Sequence, residues 1–161
     1  MFITSGRIKS LNPADGSVIW ENRVPGAIAM PVLLPDMRLF ISNPDQGGCT
    51  MLQLDKAGKA PADTLWQNKF MRNHFNSSLY HNGAIYGFSN ATLRCIDAET
   101  GKRLWNKRGL GKGSLVEADG KLFVLSDTFR RWQLLIYVSR LCRKCIFRPS
   151  ASRGERLRKF Y

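Results

Sequence analysis

Ile96-Asp97-Ala98-Glu99-Thr100-Gly101-Lys102-Arg103-Leu104-Trp105 decides how the rest of the chain is read. An Asp ahead of Thr-Gly marks a tight turn, because the Asp carboxylate accepts backbone N–H bonds in the manner of an Asx turn. Gly101 supplies the positive φ that such a turn demands. Trp105 then offers a large flat surface whose burial stabilises neighbouring layers. Two further copies stand upstream. One is Leu11-Asn12-Pro13-Ala14-Asp15-Gly16-Ser17-Val18-Ile19-Trp20. The other is Leu54-Asp55-Lys56-Ala57-Gly58 running on to Trp66, with Lys59 to Asp63 inserted before its Trp. The three Trp residues are 46 and 39 positions apart.

Between the Trp positions lies a second repeated element, a hairpin of alternating apolar residues. Its copies run from Val32 to Ile41 around Pro35-Asp36-Met37, from Ser78 to Phe88 around Asn82-Gly83, and from Leu115 to Leu125 around Asp119-Gly120. Asn-Gly and Asp-Gly are strong hairpin signals, since both central residues of a type I′ turn need positive φ. Together the two elements make a unit of about four short strands in 40–45 residues, the size of one propeller blade. Residues 1–20 read as the outer part of one blade, residues near 30–66 and 77–105 as two more, and residues 114–126 as the opening of a fourth.

The stretch from Ile96 to Trp105 resembles the tryptophan-docking repeat of PQQ-like (quinoprotein-like) β-propellers, and the resemblance covers residues 1–127. The copy at Leu11 has Asn12 where the family usually has Asp, and the copy at Leu54 lacks Thr before its Gly. The segment Arg72-Asn73-His74-Phe75-Asn76-Ser77-Ser78 through Gly87-Phe88 is also similar to propellers of bacterial secreted or periplasmic proteins. The resemblance implies an all-β, incomplete β-propeller of about three four-stranded blades, with Trp20, Trp66, Trp105, Asp97, Thr100 and Gly101 as structural docking residues. It also implies a periplasmic or extracytoplasmic place.

The pattern stops after Asp127. Residues 128–161 carry 10 Lys+Arg, mostly Arg, against Glu155 alone, whereas residues 1–127 carry 15 Lys+Arg against 11 Asp+Glu. The net charge of +13 is therefore largely a property of the tail, and nucleic-acid binding is not the expectation for the body. The chain divides into repeats over 1–127 and a basic non-repeat tail over 128–161, frameshifted or poorly ordered. As a genuine appendage, the tail would place Leu134, Leu135, Val138, Leu141 and Cys142 on one face at helical spacing. Such a face would bind anionic lipid or nucleic acid. No stretch approaches the roughly 18 apolar residues of a membrane span. Residues 1–6 are too short for a secretory signal, so a cytoplasmic place is expected for the chain made as it stands.

The candidate chemistry is sparse. Cys142-Arg143-Lys144-Cys145 is a lone C-x-x-C without the second ligand pair of a zinc site, and Cys49 and Cys95 read as small buried residues. Gly109-Leu110-Gly111-Lys112-Gly113-Ser114 lacks Walker spacing and a following helix, so it reads as an inter-blade connection. In a propeller such a loop borders the channel, which makes Lys112 a ligand candidate. His81 sits at a hairpin turn, whereas His74 and Asn76 share an inter-blade loop and are candidates for a surface or channel site. No residue is assigned a catalytic or metal-binding role.

The expected function is a binding or scaffold module, or a gene fragment, without catalysis of its own. The partners expected are other protein chains or the missing blades, with exposed edges favouring oligomers. No cofactor is expected. The alternative is a fragment of a PQQ-dependent alcohol dehydrogenase, such as the polyvinyl-alcohol dehydrogenase type, holding PQQ and calcium. That family uses a disulfide between adjacent cysteines, which this chain lacks.

Overall fold

The computed structural model describes residues 2–4, 6–24, 28–44, 47–55, 63–126, 134–138 and 147–149. They form four antiparallel sheets. The first has three strands, β1 (Phe2–Thr4), β2 (Arg7–Leu11) and β3 (Val18–Arg23). The second holds β4 (Val32–Leu34), β5 (Arg38–Asn43), β6 (Gly48–Gln53) and β7 (Asp63–Asn68). The third holds β8 (Leu79–His81), β9 (Ala84–Ser89), β10 (Thr92–Asp97) and β11 (Arg103–Lys107). The fourth holds β12 (Gly113–Ala118), β13 (Lys121–Ser126), β14 (Leu134–Val138) and β15 (Phe147–Pro149). Each sheet is an up-and-down meander in chain order, and the whole is an all-β partial β-propeller.

The hairpins close as their turn residues require. Asn82, Gly83, Asp119 and Gly120 all have positive φ, so β8–β9 and β12–β13 are joined by two-residue turns, with His81 opposite Ala84 and Ala118 opposite Lys121. The copy without Asn-Gly solves the same problem differently. Asp36 and Met37 both take positive φ, in a three-residue loop that leaves Leu34 opposite Arg38.

The core lies between sheets. Ile8, Trp20 and Val24 of the first sheet and its exit pack against Leu39, Ile41, Leu52 and Leu54 of the second. Leu34, Phe40, Cys49 and Met51 meet Ile85, Ile96 and Ala98 of the third. Tyr86, Phe88, Leu93 and Cys95 meet Leu122 and Val124 of the fourth. Strand alternation explains this: Leu93 and Cys95 point to one neighbouring sheet and Ile96 to the other, so a central strand is apolar on both faces. Each sheet buries its faces only by stacking on its neighbours, which is how repeat architectures are held together.

One feature repeats three times and has no signature in the sequence. Trp20, Trp66 and Trp105 stand opposite Ser10, Met51 and Cys95, and the register then skips a residue at Leu11, Leu52 and Ile96. Each Trp is thus preceded by a β-bulge that takes up Ile19, Leu65 or Leu104. A bulge re-aims the side chain beside it, and here it stands next to each of these three Trp residues.

Within residues 128–161 the structure departs from the expected loss of strands. Leu134–Val138 pairs antiparallel with β13, and Phe147–Pro149 pairs with β14. The run Leu134-Leu135-Ile136-Tyr137-Val138 is strand-favouring in composition, and β13 otherwise presents an open edge that seeks a partner. The helical face proposed for these residues is therefore replaced by a strand over Leu134–Val138. Leu141, Cys142 and Cys145 lie outside the described residues.

Candidate functional site

The turn between β10 and β11 is built by Asp97. Its carboxylate Oδ1 accepts from the Thr100 amide at 2.7 Å and the Thr100 hydroxyl at 2.8 Å. The Gly101 amide donates to the Asp97 carbonyl at 2.9 Å, and the Asp97 amide donates to Lys102 at 2.8 Å. The Asn12 turn makes the matching backbone pair, from Gly16 to the Asn12 carbonyl at 2.8 Å and from Asn12 to Ser17 at 2.9 Å. Asn in place of Asp is accommodated because its own Oδ1 accepts from the Ala14 amide at 3.1 Å. Asp15 completes that turn: the Ser17 amide and hydroxyl hold its carboxyl below the usual carboxylate value.

Trp66 is seated on the turn of the next sheet. Its indole N–H donates to the Ala98 carbonyl at 3.2 Å. Asn68, two residues on, donates to the Gly101 carbonyl at 2.9 Å. A Cβ on Gly101 would lie 2.8 Å from the Trp66 ring, so the indole is in close contact with the glycine. Phe40 tilts against Trp66 and Tyr86 against Trp105, with ring centroids 6.1 and 6.0 Å apart. An Arg38–Glu99 ion pair at 2.8 Å ties the same two sheets.

The loop between β7 and β8 carries the other candidates. Asn73 is buried and anchors it. Its amide donates to Ser42 Oγ of β5 at 2.8 Å, its Nδ2 to the Phe88 carbonyl of β9 at 3.2 Å, and its Oδ1 accepts from Ser78 at 2.9 Å. Gly87 leaves room for this network, since a Cβ there would lie 2.2 Å from Ser78 Oγ. Asn73 is thus a central positioning residue, and sequence reading passed over it because its partners are non-local.

Asn76 bridges to the fourth sheet. Its Nδ2 donates to the Gly113 carbonyl at 2.6 Å, and its Oδ1 accepts from Ser114 at 3.3 Å. His74, Phe75 and Asn76 together with Phe88, Asn90, Lys112 and Gly113 line a partly open cleft of about 30 Å³, room for at least one water molecule. The three ligand candidates His74, Asn76 and Lys112 therefore come together at one cleft. His74 Nδ1 is buried with no hydrogen-bond partner among the described residues, and Phe75 stands edge-on to the His74 ring and is 69% exposed. The cleft sets His74 and Lys112 beside an exposed aromatic, and its accessible wall is mostly apolar.

The remaining singled-out residues are structural in placement. Cys49 and Cys95 are buried on β6 and β10, and burial pushes the Cys49 thiol up to about 11. His81 Nδ1 lies 3.5 Å from Glu117 Oε1 across the third and fourth sheets. Gly109 and Gly111 take positive φ and β12 begins at Gly113, so a strand follows the glycine-rich loop. Among the described residues no three His, Cys, Asp or Glu side chains group to hold a metal ion, and no helix is long and apolar enough to cross a membrane.

A family model described as outer membrane protein assembly factor BamB matches residues 2–108. Among solved structures, the chain is similar to the crystal structure of BamB from Moraxella catarrhalis, with a TM-score of 0.57 and 20% identity. The match covers 82% of this chain and 40% of that one, so this chain spans under half of that protein's length. At this identity the likeness speaks for the fold. A comparison with curated proteins gives no match.

Proposed function

The chain belongs to the PQQ-like β-propeller family whose model is described as outer membrane protein assembly factor BamB, and from that premise we propose that it acts as a binding and scaffold module for other protein chains, without catalysis of its own. The observation that carries this reading is the cleft at the junction of the third and fourth sheets. There His74, Asn76 and Lys112 line a small, partly open cleft with Phe75 exposed at its side. Exposed aromatics beside a surface cleft are the usual anchors of protein recognition.

In this reading Trp20, Trp66, Trp105, Asp97, Thr100 and Gly101 dock blade to blade, and His74, Asn76 and Lys112 contact the partner. Residues 1–127 are the repeat unit, and residues 128–161 are a basic appendage whose strands extend the fourth sheet. An extracytoplasmic place accords with the name of the family model. This reading involves no cofactor; PQQ with calcium belongs to the alternative, whose adjacent-cysteine disulfide the sequence lacks.

The test has two arms. A photo-crosslinking amino acid at position 75 is expected to give one saturable protein adduct that unlabelled chain competes away. Titration of the chain with PQQ and Ca²⁺ is expected to give no binding. Stoichiometric quinone binding with dye-linked alcohol oxidation would replace this reading with the quinoprotein one.

A further inference from the structure

Two guanidinium groups converge on Phe70 where the second sheet adjoins the third. Arg94, midway along β10 and half-buried, donates from Nη1 to the Phe70 carbonyl at 2.6 Å. Arg103 on β11 holds its guanidinium carbon 5.8 Å from the centre of the Phe70 ring. Arg94 and Arg103 thus converge on one residue, from its backbone and from its ring. Burial, followed by the charges of Arg103, Arg72 and Arg108, holds Arg94 below its usual value, which places all four in one electrostatic neighbourhood.

The cluster is unbalanced. Arg7, Lys9, Arg38 and Lys121 each have a carboxylate partner. Among the described residues none of Arg72, Arg94, Arg103 and Arg108 is in an ion pair. Arg94 Nε is buried with no hydrogen-bond partner among the described residues. Long basic side chains on an open surface spread apart into water, but the bond to Phe70 keeps Arg94 in place. Self-repulsion of this kind is relieved by a bound anion.

We propose that the Arg94–Arg103 cluster is an oxyanion-binding site that takes an Asp or Glu side chain from an acidic segment of a partner protein. A guanidinium fork matches a carboxylate in two parallel hydrogen bonds. Arg94 is half-buried with its Nε enclosed, while Arg103 beside it is exposed. Phe70, 38% exposed, offers the apolar contact that a peptide flanking its acid can use. The occupant's class rests on the protein-binding reading; the site itself does not.

The test is fluorescence anisotropy of the full chain with a labelled hexapeptide alternating Asp and Leu. A Lys-Leu peptide, phosphatidylglycerol vesicles and a DNA duplex serve as comparison probes. The wild-type chain is expected to bind the acidic peptide in a salt-sensitive way and to ignore the basic one. Arg94→Gln and Arg103→Gln are each expected to weaken binding about tenfold, the scale of a lost charged hydrogen bond. Arg7→Gln, remote on the first sheet, is expected to leave it unchanged. Arg103 and Arg108 are exposed, so Arg103→Gln and Arg108→Gln keep the test valid should Arg94→Gln unfold. Wild-type affinity in the Arg94 and Arg103 variants would overturn the site and would reassign the binding to the basic tail. A larger loss of vesicle or DNA binding than of peptide binding in the same variants would overturn the occupant. Neither result touches the crosslink at position 75, on which the protein-binding reading stands separately.

Discussion

Replacing Gly101 with Ala tests whether the third sheet's turn is packed on the second sheet's tryptophan. Gly101 has a φ of 69° and Gly16, at the matching place in the first sheet, has 74°. Any Cβ at either position meets the left-handed penalty of about 1–2 kcal/mol. The surroundings differ. A Cβ on Gly16 meets nothing within 4 Å, whereas one on Gly101 lies 2.6 Å from Asn68 Nδ2 and 2.8 Å from the Trp66 ring. Forcing atoms into a packed contact adds about 1–3 kcal/mol. Gly16→Ala is therefore expected to cost about 1–2 kcal/mol and Gly101→Ala about 2–5 kcal/mol. Urea unfolding followed by tryptophan fluorescence measures both, provided the m-value stays constant. In a Trp66→Ala background the excess at Gly101 is expected to shrink, because the two residues touch and are coupled. Equal costs at the two glycines, or additivity with Trp66→Ala, would refute the packing.

Other consequences follow from the same geometry. Asn73→Ala leaves the Phe88 carbonyl and the Ser78 hydroxyl short of their bonds and is expected to lower stability by about 1–3 kcal/mol, measured by thermal unfolding. The Cys49 thiol is raised from 9.0 to about 11, so above pH 9 the unfolded chain gives up a proton that the folded chain keeps. Stability is therefore expected to be intact below about pH 9 and to fall between about 9 and 11, and Cys49→Ala is expected to flatten that slope. Cys49 and Cys95 are expected to resist a thiol reagent at neutral pH until denaturant is added, scored in a Cys142→Ser/Cys145→Ser background. On the face of the fourth sheet turned away from the third, Val116 is 60% and Leu125 41% exposed. Concentration-dependent association is expected by light scattering, and Val116→Glu is expected to reduce it.

What could be read from the chain was whatever is local. Asn82-Gly83 and Asp119-Gly120 announce hairpins because two adjacent positive φ values select for those residues. The Asp97-Thr100-Gly101 turn announces itself because its hydrogen bonds close within five residues. The Trp period is visible because each indole is large and fixed in its unit. His74, Asn76 and Lys112 were each notable alone, yet their meeting at one cleft depends on the contact between Asn76 and Gly113, 37 residues apart. The bulges beside the Trp residues were hidden, since a bulge is a relation between two strands. The Asn73 network and the Arg94 cluster were hidden for the same reason: Ser42, Phe88, Phe70 and Arg103 come from separate strands and loops. The strand at Leu134–Val138 was missed because its apolar residues form a continuous run, which suits a helix face or a strand equally until the edge of β13 is known.

Blade-to-blade docking is measured most directly as a through-space NMR contact between the Trp66 ring proton Hε3 and the Hα protons of Gly101. The expected result is a strong cross-peak, because the indole donates to Ala98 and its ring rests on Gly101 of the next sheet. Contacts from that indole confined to the second sheet would contradict the blade-to-blade docking, and with it the repeat packing on which the proposed binding sites are built.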